Sequence, residues 1–185
     1  MKKRLFYILA GILVLSFFID KYISNFFTQI RYEWLTNFMA YFTIIGSGFV
    51  VLILITAFLF YVKKKNYLLI SWLSLGLALL ITWILKNLVA RVRPEFGLVA
   101  EQGFSFPSGH TTAIFSVFPL LYKHFKKFSY YWLGFGILIL LSRLYLGVHY
   151  FSDVIAGCLV GLIIGEIVLN MPKKWYSKLF KSNNP

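Results

Sequence analysis

Long apolar runs alternate with short polar or basic breaks along most of this chain. A bilayer crossing needs about 20 predominantly apolar residues, with a range of about 17–25. Leu5 to Ile19 is the first such run. Leu35 to Val62 is the second and Tyr67 to Ala90 the third. Thr111 to Tyr122 is short, but Ser108 to His110 can add a first turn to make a fourth. Phe128 to Val148 and Val154 to Met171 complete the series. The pattern predicts an all-α, polytopic membrane protein. About six transmembrane helices would form one bundle, a single transmembrane domain over residues 1–185.

Two segments are less regular. Met1-Lys-Lys-Arg4 before an apolar run resembles a secretory signal, but bulky Ser16-Phe-Phe-Ile19 stands where small residues would mark cleavage. An uncleaved anchor is expected. Asp20 to Trp34 mixes polar and aromatic residues, which suits either an interfacial helix or a plain extramembrane loop.

Composition supports the membrane reading. Only 14% of residues are charged, against about 25% in soluble domains. The net charge of +13 would suit nucleic acid, but the basic residues sit between apolar runs, which excludes a nucleic-acid interface as the expectation. The single cysteine, Cys158, rules out a disulfide or a cysteine-based metal site within one chain. Residues 181–185 read as a frayed tail.

Charge placement then sets the orientation. Lys2, Lys3, Arg4, Lys63, Lys64, Lys65, Lys123, Lys126, Lys127, Lys173, Lys174, Lys178 and Lys181 fall on one side of the six expected spans. Lys21, Arg31, Lys86, Arg91, Arg93 and Arg143 fall on the other. The positive-inside rule puts the larger set, and both termini, in the cytoplasm. Asp20, Glu33, Glu95, Glu101 and Asp153 lie on the opposite, periplasmic or extracellular, side.

That outer side carries the candidate chemistry. Ionisable groups bordering membrane spans are costly and mark functional sites. His149 and Asp153 are four residues apart, on one helical face at about 5–6 Å between Cβ atoms. Asp153 can accept the Nδ1–H of His149 and leave Nε2 free to attack. Alone, such a pair more often only satisfies two polar groups at a helix end. Arg143 lies six residues earlier in an apolar run, so a break near Gly147 is needed to bring it beside His149. Pro107-Ser108-Gly109-His110 opens an apolar helix. Ser108 can cap it, the Gly109 and His110 amides can face an anion, and His110 can act as a general acid. Lys86 and Arg93 flank the end of the third span, and Pro94 disfavours helix at Arg93, which turns the chain back toward the bundle. For Arg91, interfacial snorkelling is the expectation.

Read together, the residues resemble the type 2 phosphatidic acid phosphatase family of membrane lipid-phosphate phosphatases. Its pattern K-x6-RP, PSGH, SR-x5-H-x3-D is met throughout by Lys86, Arg93-Pro94, Pro107 to His110, Ser142-Arg143, His149 and Asp153 (segments 86–94, 107–110 and 142–153). Vanadium haloperoxidases share the motifs but are larger and soluble. The resemblance implies that Lys86, Arg93, Arg143, Ser108 and Gly109 hold the phosphate oxygens. It implies that His149 forms a phosphohistidine, Asp153 orients it, and His110 protonates the leaving oxygen and then activates water. Neither cofactor nor metal is implied. Ser142 and Glu166 receive no role.

The implied partners are a lipid phosphate substrate and the surrounding membrane lipids, with the oligomeric state left open. Small loops resemble the compact prokaryotic members. Among their substrates an undecaprenyl or other polyprenyl diphosphate is the first expectation. Phosphatidylglycerophosphate, phosphatidic acid and lipid A are the alternatives. Two other classes share the site: a lipid phosphotransferase, and a non-catalytic anion- or lipid-binding protein. The loop from Glu95 to Phe106 should border the entrance, with Phe96, Phe104 and Phe106 anchoring it at the interface.

Overall fold

A computed structural model describes residues 3–172; the expected C-terminal tail and the Lys173–Lys181 basic cluster lie outside the described residues. Seven α-helices and one 3-10 turn (Lys65–Tyr67) make up the fold. They are α1 (Lys3–Gln29), α2 (Glu33–Ile44), α3 (Gly48–Tyr61), α4 (Leu68–Val89), α5 (Gly109–His124), α6 (Lys126–Tyr145) and α7 (Phe151–Leu169). No strand occurs among the described residues, so the all-α polytopic expectation holds.

Two expected boundaries change. Asp20 to Gln29 is neither a separate interfacial helix nor a loop; it continues α1. The run from Leu35 to Val62 is two helices, α2 and α3, bent by 63°. Gly46-Ser47-Gly48 marks the break, and the Ser47 hydroxyl accepts from the Val50 N–H as the N-cap of α3. The count of spans changes with it. Among the described residues four helices are long and apolar enough to cross a membrane, and the bent pair makes a fifth. At 16 residues, α5 is about 24 Å long, short of a full crossing.

Burial explains why so short a helix persists. The α5 helix is the hub of the bundle: residues 111–117 and 119–121 are all buried. Val51, Leu75, Ile114, Val117, Ile139 and Leu162 draw α3, α4, α6 and α7 into one apolar cluster with it. The Trp132 indole N–H donates to the Ile114 carbonyl at 3.0 Å, pinning α6 to α5. Large apolar side chains point outward elsewhere, among them Phe18, Phe49, Leu88 and Tyr131. Water would not tolerate such a surface, and lipid does.

The closest approach is between α5 and α7. Gly157, Gly161 and Gly165 recur every four residues on α7 and face the α5 backbone. A Cβ at Gly157 would lie 2.5 Å from the Ser108 carbonyl oxygen, and one at Gly161 2.6 Å from that of Thr112. Only hydrogen fits there, so backbone packs directly on backbone. This seam fixes where the starts of α5 and α7 meet, and the Ser108 N–H donates to the Asp153 carbonyl across it at 2.9 Å.

Candidate active site

Four chain segments converge at one end of the bundle: the end of α4, the start of α5, the end of α6 and the start of α7. The end of α6 has the break the sequence requires. After Tyr145 the chain turns through Gly147 in the left-handed region, at φ +65. A Cβ there would sit 2.8 Å from the Phe96 carbonyl oxygen. The turn carries His149 back within electrostatic range of the buried Arg143. His149 therefore precedes α7 and is not on it, which corrects the expectation of one shared helical face. The pair still meets because Asp153, in the first turn of α7, reaches back. Its Oδ2 accepts from the Tyr150 N–H at 2.8 Å and lies 3.4 Å from His149 Nδ1. A carboxylate in that turn also suits the helix dipole.

On its other edge His149 meets a cation. Arg93 Nη1 is 3.4 Å from His149 Nε2 and donates to the Val148 carbonyl at 2.8 Å. Guanidinium has only donors. The Nε2 facing it is therefore the lone-pair nitrogen, and the ring proton sits on Nδ1, toward Asp153. Burial pushes the His149 pKa well below its ordinary value, and Arg143, Arg93 and Lys86 push it further the same way. The imidazole is held neutral with its lone pair aimed among cations.

The remaining cations are tied down by the loop between α4 and α5. Arg93 turns back as expected, donating from Nε to the Gly103 carbonyl at 3.0 Å and from Nη2 to that of Gln102 at 3.1 Å. Lys86 Nζ donates to the carbonyls of Phe104 and Ser105. Arg143 donates from Nη1 to the Thr43 hydroxyl at 3.0 Å, and from Nη2 to Glu101. Its Nε is buried without a partner. Burial opposes ionisation of Glu101, but the charge and hydrogen bond of Arg143, with His110 and Arg93, hold its carboxyl below the usual range. One Glu101 oxygen is 3.7 Å from Arg93. A single carboxylate thus sits between two of the arginines.

The start of α5 differs in one respect from expectation. Ser108 occupies the N-cap position, but its hydroxyl makes no capping bond. That hydroxyl is buried and unpartnered. A Cβ added at Gly109 would meet open space. His110 follows, within electrostatic range of Glu101, Arg143 and His149. Ser142 donates to the Ile139 carbonyl of its own helix at 2.6 Å, which satisfies it structurally. Glu166 accepts from Asn170 at the far end of α7.

Arg91 is the clearest correction. It does not snorkel. Its Nη1 donates to Asp153 Oδ1 at 2.7 Å and to the Ser152 hydroxyl at 2.6 Å, and its Nη2 to Asp20 at 2.8 Å. Sequence reasoning gave no role to Asp20, Thr43, Glu101 or Ser152. The available signal for two of them was scarcity: Asp20 and Glu101 are among only six acidic residues.

Known proteins resemble this chain in sequence and fold. Residues 67–177 match the PAP2 superfamily. Phosphatidylglycerophosphatase B of Bacillus subtilis (strain 168) is 35% identical over 170 residues, 84% of each chain. The crystal structure of a transmembrane PAP2-type phosphatidylglycerolphosphate phosphatase from Bacillus subtilis superposes with a TM-score of 0.72 at 34% identity, covering 97% of this chain and 95% of that one. That of Aquifex aeolicus LpxE gives 0.73 at 28% identity, covering 82% and 94%. With the all-helical bundle and its lipid-facing surface, these likenesses identify the chain as an integral membrane phosphatase belonging to the PAP2 superfamily.

Proposed function

We propose that this protein hydrolyses the phosphomonoester of phosphatidylglycerophosphate through a phosphohistidine on His149. The observation that carries the reading is the seat of His149 between a cation and a carboxylate, with Arg93 Nη1 3.4 Å from its Nε2 and Asp153 Oδ2 3.4 Å from its Nδ1. The Nε2 lone pair attacks phosphorus and the P–O ester bond breaks in line. His110, charged once the phosphate dianion is bound beside it, gives its proton to the leaving alkoxide. Asp153 balances the charge gained by the His149 ring. Water then attacks the N–P bond, His110 takes its proton, and inorganic phosphate leaves with His149 restored.

Arg93, Arg143 and Lys86 receive the non-bridging oxygens, with the idle Ser108 hydroxyl and the Gly109 amide completing the cradle. For this the phosphate replaces the Glu101 carboxylate between the two arginines. Fixed cations supply the charge stabilisation, so chelators should leave the rate unchanged. Lys63, Lys64, Lys65, Lys123, Lys126 and Lys127 lie at the end of the bundle opposite the site, which by the positive-inside rule supports an outward-facing site.

As to substrate, the Bacillus relative's activity favours phosphatidylglycerophosphate over the polyprenyl diphosphate that the sequence alone put first. The test is phosphate release by detergent-purified protein in EDTA. Phosphatidylglycerophosphate, a polyprenyl diphosphate, phosphatidic acid and lipid A would be compared, each with His149→Ala alongside. Fastest release from phosphatidylglycerophosphate, abolished in the variant, is expected. Release that survives in His149→Ala refutes the mechanism, and a faster polyprenyl diphosphate reaction refutes the substrate.

A further inference from the structure

The first helix lies outside the stretch that matches the family, yet it sends one carboxylate into the site. Asp20 is 6% exposed, on a helix that otherwise turns mostly apolar side chains outward. A buried carboxylate there is costly unless fully paired. Asp20 is fully paired. Its Oδ1 accepts the Ser152 N–H at 2.8 Å, one of the free amides of the first turn of α7. Its Oδ2 accepts the Ser152 hydroxyl at 2.5 Å and Arg91 Nη2 at 2.8 Å. The Arg91 guanidinium is sandwiched besides, 4.0 Å from the Tyr150 ring centre and 5.4 Å from that of Phe17 on α1.

From that fixed position Arg91 reaches Asp153. The two oxygens of Asp153 have separate partners. Oδ1 takes Arg91 Nη1, and Oδ2 takes the Tyr150 N–H and faces His149. Asp153 itself is wholly buried. Without Arg91, Oδ1 would lose its charged partner in a buried setting, and the carboxylate would turn toward the remaining donors or take a proton. Either change removes the ionised oxygen from His149 Nδ1.

We propose that Asp20 and Arg91 are positioning residues for the reaction: α1 fixes Arg91, and Arg91 fixes the Asp153 carboxylate with its second oxygen toward His149. Capping α7 would require only the Asp20 bond to Ser152. The additional bond from Arg91 to Asp153 serves the nucleophile. The inference rests on the phosphohistidine reading above.

The test uses the full chain in detergent and compares Asp20→Asn, Arg91→Met, Arg91→Lys, the double variant Asp20→Asn/Arg91→Met, and His149→Ala. Asn keeps an acceptor for Ser152 while losing the charge. Expected is a fall in kcat of about tenfold for Asp20→Asn and about a hundredfold for Arg91→Met, with KM within about twofold of wild type. Arg91→Lys should recover part of the Arg91→Met loss, and the double variant should be no slower than Arg91→Met. Normal kcat in folded Asp20→Asn, or additive losses in the double variant, would overturn the proposal. If Asp20→Asn does not fold, the Arg91 pair decides: equal kcat for Lys and Met, or a loss confined to KM, overturns it. His149→Ala separates the two levels. Activity surviving there sinks the mechanism, whereas a dead His149→Ala beside normal Asp20 and Arg91 variants sinks only this inference.

Discussion

The glycine seam between α5 and α7 makes the sharpest quantitative demand. Consider alanine at Gly157, Gly161 and Gly165 in turn. The new methyl at Gly161 would lie 2.6 Å from the Thr112 carbonyl oxygen, 2.8 Å from the Ser116 nitrogen and 2.9 Å from the Phe115 carbonyl carbon. At Gly165 it would lie 2.2 Å from the Ser116 carbonyl oxygen. Ordinary contact begins near 3.4 Å, and every one of these neighbours is helix backbone that cannot swing away. The helices must therefore separate by roughly an ångström, at about 1–3 kcal/mol, the usual cost of overpacking. Catalysis should suffer unequally. Gly165 is twelve residues beyond Asp153, about 18 Å along the helix, whereas Gly157 is one turn away. A 1 Å misplacement of reacting groups can cost about a hundredfold in rate. Thermal unfolding in detergent and kcat on one lipid phosphate would be measured for all three variants. Gly134→Ala serves as control, because that glycine is exposed and has open space at its Cβ. The reasoning requires a lowered Tm for all three, a loss of kcat that shrinks from position 157 to 165, and an unchanged or raised Tm for the control. Three variants with wild-type Tm would show that the seam does not hold the bundle, and a loss of kcat independent of position would show that it does not set the site.

Two further outcomes follow from the charges around the phosphate cradle. Glu101→Gln frees Arg143 and Arg93 from a tethered anion, so inorganic phosphate should inhibit at concentrations about tenfold lower or less; an unchanged or weaker inhibition constant counts against a shared site. The depressed pKa of His149 makes the unfolded chain bind more protons than the folded one below about pH 6.5. Stability should therefore fall as pH drops below that value, by up to about 1.4 kcal/mol per pH unit from this group. His149→Gln should flatten the dependence of Tm on pH between about 6.5 and 5, and a slope equal to wild type would contradict the buried neutral ring.

The sequence foretold which residues meet better than it foretold the contacts that hold them. Hydropathy found every long helix, because lipid exposure imposes an apolar surface on each. It missed the break at Gly46 to Gly48, where two apolar segments join without a charge to mark the corner. At α5 the expected extent, residues 108–122, nearly matches the helix, and its apolar character reflects burial at the hub. Lys86, Arg93, Ser108, His110, Arg143, His149 and Asp153 gather as the spacing implied, since each flanks an end of a span on the same side. Arg91 was misread because snorkelling and ion pairing look alike until the partner is known. That partner, Asp20, is 71 residues away, and no local periodicity links them. The α5–α7 contact was available in principle: glycines at 157, 161 and 165 form a small-residue repeat.

The stretch from Arg143 to His149 works as a ruler of fixed length. Its first part is the last turn of α6, its second a reversal through one left-handed glycine. Removing or adding a residue there would rotate Arg143 by about 100° against His149 and carry one of the two out of the cradle. The connection between α4 and α5 is held differently, by discrete backbone bonds such as Ser105 N–H to the Arg91 carbonyl and Leu98 N–H to the Leu146 carbonyl. Chain length between such anchors is free to vary while the anchors stay put. New loop sequence thus belongs between Leu98 and Glu101, and none belongs between Arg143 and His149.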